Sequence, residues 1–201
     1  MNMLRPLMLA TLFGSLTALG ACSSGQSESG GIASAVDHSI SSAMDKAQAK
    51  LRTEPIEVSH NDPTLPKAEI TPNGDFIVGG KTIAITPAQR TALLEYRAQL
   101  IAIATQGIAI GKQGAALGIH AASAAIAGVF SGKSDKEIEA NVKAQTGGIR
   151  EGAAKICDRL PAMMTEQQKL AAILPAFKPY ATMTQQDIRG CRHDALKDDD
   201  G

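Results

Sequence analysis

The stretch that most constrains this chain runs from Thr86 to Gly132 and reads as one long helix with a seam of small residues. Two sets of positions recur every seven: Gly107, Gly114, Ala121, Gly128, and Gly111, Gly118, Ala125, Gly132. At 3.6 residues per turn they fall in one narrow band. Ile103, Ile110 and Leu117 flank the band on one side, and Ile108, Ala115, Ile119 and Ile126 on the other. Gln106, Lys112, Gln113, His120 and Ser123 lie opposite. An interior Gly costs about 1 kcal/mol against Ala. That cost is tolerable where a neighbouring main chain lies close along the seam, and this is the packing expected for Gly107, Gly111, Gly114, Gly118 and Gly128.

The same spacing has two other readings. Small-xxx-small at Gly107–Gly111 and Gly114–Gly118 occurs on membrane dimerisation faces. The polar stripe along the helix argues against lipid exposure, since charges near a bilayer centre cost several kcal/mol. Self-association of the soluble domain remains as the alternative to packing within the chain.

Punctuation around the helix sets the architecture. Thr86-Pro87-Ala88-Gln89 is a capping box with Pro at the first helical position. Gly132 offers a left-handed close, and Ser134-Asp135-Lys136-Glu137 opens a second helix. So short a connection makes the two helices antiparallel neighbours. Gly147, Gly148 and Gly152 interrupt the second helix and allow a kink there, and Pro161 is expected to end it. A shorter helix from Thr165 and an irregular arm carrying Phe177 and Tyr180 follow. A last turn at Thr184–Arg189 presents Cys191. Upstream, Ile32, Val36, Ile40, Met44 and Leu51 space an amphipathic helix over Ile32–Arg52. Between the helices, Ile56 and Val58 alternate with polar residues. Asn73-Gly74 marks a turn, and Gly79-Gly80-Lys81 separates two β-rich runs within 68–85. The fold class expected is mainly α with a small antiparallel β-hairpin or sheet and a long antiparallel helix pair. The domain spans 32–192, with a disordered tail over 193–201.

The first 21 residues read as an export signal: Arg5 ahead of the short apolar run Leu7–Leu19. That run is too short to span a bilayer comfortably. Leu19-Gly20-Ala21-Cys22 resembles a bacterial lipobox. The resemblance implies cleavage before Cys22 and lipidation of that residue. Ser23, rather than Asp, implies an outer-membrane destination on the periplasmic side. The alternative is an ordinary signal peptide with a chance cysteine. Residues 22–31 then form a flexible Ser/Gly-rich tether.

Removing 21 residues from 201 leaves 180, enough for one modest core. With Arg5 gone, 19 basic against 20 acidic residues give a charge of −1, so no strong field for nucleic acid exists. The chain has no Trp and 3% aromatics, which disfavours a base-stacking surface. With Cys22 lipidated, Cys157 and Cys191 remain in a compartment that oxidises thiols, and a Cys157–Cys191 disulfide is expected. Two separate thiols are the alternative.

The segment Ala68–Arg97 carries Thr71-Pro72-Asn73-Gly74, Gly80-Lys81, Ala88-Gln89-Arg90 and Tyr96. With Ile156-Cys157-Asp158-Arg159-Leu160, it resembles the YggN-like family of bacterial envelope proteins, a domain of unknown function. The resemblance implies export and a mostly helical domain, and supplies no activity.

Chemical motifs are sparse. Ala127–Ser134 fits a loose phosphate-loop spelling, but such a loop follows a β-strand, and no nucleotide is expected. His38, His60, His120 and His193 show no metal-ligand spacing, so neither metal nor cofactor is assigned. No catalytic residue is assigned. Arg90 and Tyr96, where hairpin meets helix, are the candidate interaction residues, with structural bracing as the leading reading of both. The leading expectation is a non-catalytic, lipid-anchored envelope protein that binds a protein partner or itself. The rival is a cell-envelope hydrolase using Glu69, Asp75 or Glu95 in a pocket.

Overall fold

In the computed structural model the described backbone covers residues 28–58, 62–131 and 135–196. Side chains are described for 34–58, 62–123, 143 and 146–195. The elements in order are α1 (Glu28–Thr53), β1 (Ile56–Val58), β2 (Ala68–Ile70), β3 (Phe76–Val78), β4 (Lys81–Thr82), α2 (Pro87–Ser131), α3 (Asp135–Ile173), a 3-10 turn (Pro175–Tyr180) and α4 (Gln185–Leu196). The protein is mainly α with a small antiparallel sheet, as the sequence leads one to expect.

The sheet is a four-stranded meander, β1-β2-β3-β4. Gly79 and Gly80 turn β3 into β4 at φ 55° and 76°, a conformation that favours glycine. Alternation puts Val58, Ala68, Ile70 and Phe76 on the covered face. On the open face Glu57 and Glu69 stand opposite one another. Lys67 bridges both at 3.2 and 3.0 Å. Those carboxylates hold its ammonium above the usual lysine range.

The covered face meets Ala92, Leu93 and Tyr96 of α2, Leu170 and Leu174 at the end of α3, and Phe177 and Tyr180 of the 3-10 turn. Four of the chain's six Phe and Tyr residues gather there. Phe177 lies 5.3 Å from Tyr96 and 5.6 Å from Phe76, centroid to centroid, in the tilted and edge-on arrangements aromatic pairs favour. The segment expected as an irregular arm is therefore the lid of the core. Its prolines, Pro175 and Pro179, sit within the 3-10 turn.

Three boundaries differ from the sequence reading. α1 begins at Glu28, inside the segment expected to be tether. α4 continues to Leu196, past the expected end of order at 192. α3 runs unbroken through Gly147, Gly148 and Pro161. Pro161 removes one backbone donor. The helix persists because residues on both sides of it pack: Gly152 against α2, and Gln167 and Leu170 in the core. The Thr165 hydroxyl donates to the Pro161 carbonyl at 3.0 Å. Gly132 and Ser134, the expected close and cap, lie outside the described residues, as do 1–27.

Candidate interaction face

The start of α2 is built as a reciprocal cap. The Thr86 N–H donates to Gln89 Oε1 at 2.8 Å, and the Gln89 N–H to Thr86 Oγ1 at 3.3 Å. Gln89 Nε2 also donates to the Ile173 carbonyl at 2.6 Å, joining the start of α2 to the end of α3. From there the pair stays in step. Tyr96 meets Gln167, Ile110 meets Gly152, and Gly114 faces Ile149. Each step along α2 is matched by a step back along α3.

α1 packs on the other side of α2, also antiparallel. Met44 Cε lies against Gly111, and Lys112 Nζ pairs with Asp45. Arg97 Nη2 donates to the Leu51 and Glu54 carbonyls at 2.9 and 2.8 Å. Leu51 belongs to the last turn of α1 and Glu54 follows that helix directly, so the guanidinium caps its C-terminal end. Arg97 is 5% exposed, its Nε has no partner, and burial pulls it below the usual arginine range.

Among the described residues α1 and α3 thus flank α2 and make few contacts with each other. The three helices form an open layer, and no residue of α2 from 98 to 123 is fully buried. Among the described residues, this stretch belongs to a helix segment, Pro87–Ser123, that is long and apolar enough to cross a membrane by length and composition.

The glycine seam therefore works otherwise than its spacing implies. A Cβ on Gly107 or Gly118 would meet nothing within 4 Å. Gly111 and Gly114 are approached by side chains, Met44 Cε at 3.1 Å and Ile149 Cδ1 at 3.9 Å, not by a main chain. The seam falls between α1 and α3, so the face expected to be filled is in part open. Gly128 lies in α2, but its surroundings are outside the described side chains. Between α2 and α3, the tightest approach among the described glycines is at Gly152 of α3, where a Cβ would stand 2.7 Å from Ile110 Cγ1. Spacing on one helix could not reveal it, because it depends on the register of two. The polar side is as expected at Gln113, His120 and Ser123, which are exposed. Gln106 and Lys112 are half-buried toward α3 and α1.

Of the candidate interaction residues, Arg90 stays at the surface and braces the turn. Its Nη1 donates to the Asn73 carbonyl at 2.8 Å and to Asp75 Oδ1 at 2.6 Å. That hydrogen bond, followed by one from the Thr71 hydroxyl, holds the Asp75 carboxyl below the usual range. Gly74, at φ 77°, lets the turn press on α2, since a Cβ there would stand 2.9 Å from Leu94 Cγ. Tyr96 is not available as a contact residue, being 2% exposed in the core. Gln167 Nε2 donates to its hydroxyl at 3.3 Å, and burial pushes that phenol up. Gln167 Oε1 accepts from the Met183 N–H at 3.0 Å, fixing the chain between the lid and α4.

Cys157 and Cys191 form a disulfide, with Cα atoms 5.6 Å apart. It ties α4 to the middle of α3. Thr184 and Asp187 cap α4 reciprocally, with the carboxylate accepting the Thr184 N–H at 2.8 Å.

For the catalytic rival, Asp75 is held ionised by Arg90, the opposite of what a general acid needs. Glu69 is paired with Lys67, and Glu95 is exposed. Ala127–Ser131 end a helix instead of following a strand. Among the described residues no group of three His, Cys, Asp or Glu is placed to hold a metal. No family model, no curated protein and no solved structure matches this chain.

Proposed function

We propose that this chain is an exported envelope lipoprotein, anchored through Cys22 to the periplasmic side of the outer membrane, and that its helical body binds a protein partner. The observation that carries the reading is the division of its three cysteines. Cys157 and Cys191 are joined, a state that persists in oxidising compartments. Cys22 is the remaining thiol, and it stands at the end of Leu19-Gly20-Ala21 behind an apolar run. Several acyl chains at about 0.8 kcal/mol per buried methylene make such an anchor effectively permanent. The resemblance to YggN-like envelope proteins agrees with export and adds no activity.

The test is radiolabelled palmitate in growing cells. Label enters the wild type and not Cys22→Ser; absence of label from the wild type overturns the proposal. Crosslinking in intact cells with mass spectrometry then identifies the partner.

A second reading, self-association through α2, is favoured by the open glycine face between α1 and α3. Sedimentation of the unlipidated domain decides it: a strict monomer at high concentration discards it.

A further inference from the structure

The direction of the helices places the two ends of the molecule. Lys112 and Gly111 of α2 meet Asp45 and Met44 of α1, while Arg97 meets Leu51 and Glu54. Carried back to its first residue at the same rise, α1 brings Glu28 beside the last turns of α2. That is the pole where α2 passes into α3. The sheet and the aromatic core occupy the opposite pole, and α4 reaches back from it to the middle of α3. At about 1.5 Å per residue, Ser131 lies roughly 57 Å along the axis from Leu93 in that core.

Cys22 precedes Glu28 by six positions. Six residues reach at most about 20 Å even when fully extended. Resting on the lipid anchor proposed above, we infer that the α2–α3 turn pole stands at the lipid surface and that the three-helix arm carries the β-capped head about 50 Å away from it. The head is then the pole that a periplasmic partner meets, and the arm is a spacer.

The surface of the arm favours standing over lying flat. Asp37, Lys46 and Lys50 on α1, and Lys143, Glu151 and Lys155 on α3, are exposed on the two helices that flank α2. Sinking such charges into hydrocarbon costs several kcal/mol. The exposed large hydrophobic residues described are Val36, Leu94 and Ile173, and of these only Val36 belongs to the arm, on the half of α1 nearest the turn pole.

The experiment uses the full lipidated chain in phosphatidylethanolamine/phosphatidylglycerol vesicles that carry a rhodamine-lipid acceptor. A donor dye is placed under non-reducing conditions on Ser123→Cys near the turn pole, or on Lys178→Cys in the 3-10 turn. His38→Cys on α1 repeats the turn-pole measurement independently. Expected is energy transfer several-fold greater at Ser123→Cys and His38→Cys than at Lys178→Cys. Equal transfer from all three positions, or greater transfer from the head, overturns the upright arm while the protein still floats with the vesicles. Loss of flotation by the wild-type chain overturns the anchor itself, and the orientation with it.

Discussion

Three glycines of the same helix pair show what a single methyl group decides. At Gly107 and Gly118 a Cβ meets open space. Gly107→Ala and Gly118→Ala are expected to stabilise the protein by up to about 1 kcal/mol each. Gly152→Ala would press on Ile110, and overpacking costs about 1–3 kcal/mol. Thermal or urea unfolding of the three variants checks the opposite signs. Asp75 supplies a pH prediction. Its folded-state value lies below the ordinary Asp value of about 3.9. The stability from its bond to Arg90 is therefore present above that value and lost as pH falls through the lowered one. Asp75→Asn should flatten this part of the acid limb of a stability–pH profile, while the neutral-pH stability falls. These residues were legible to different degrees. Thr86 and Gln89 announce their cap because all its atoms lie within four residues. Gly152 gives no local sign, since its partner is 42 positions away.

At the scale of elements, α1 is held to the body chiefly along one side of α2 and at its C-terminal carbonyls. Arg97→Ala removes that cap. Hydrogen bonds to charged groups contribute about 1.5–3 kcal/mol, partly offset here by the cost of burying the guanidinium. The expected result is faster tryptic cleavage at Lys46, Lys50 and Arg52 with the aromatic core intact, read by mass spectrometry. α3 offers the converse case. Pro161 reads as a helix end because it lacks an N–H, yet the helix continues through it. Packing against α2 upstream and the core downstream outweighs a local penalty of about 3 kcal/mol. Pro161→Ala should therefore raise the unfolding midpoint.

For the molecule as a whole, the disulfide closes 34 positions of chain, which in the chain-entropy model stabilises by about 3–4 kcal/mol. Reduction, or a Cys157→Ser/Cys191→Ser pair, should lower the unfolding free energy by about that amount. It should also release α4 to proteolysis before the sheet opens, since the lid at Phe177 and Tyr180 lies upstream of it. The same whole-molecule view explains why α2 is apolar yet has no fully buried residue between 98 and 123. Two flanking helices cover two sides of a cylinder and leave the others open.

The sequence alone determined the features whose physics is local: the α2 cap, the Gly79-Gly80 turn, strand alternation, the helix periods and, through the cysteine count, the disulfide. Only the tertiary structure decided which side of α2 each neighbour takes, that Tyr96 is core rather than contact, and that the glycine face stays partly open. Those outcomes depend on how two or three helices register over tens of residues. A heptad fixes which residues share a face, but carries no statement of what, if anything, comes to lie on it.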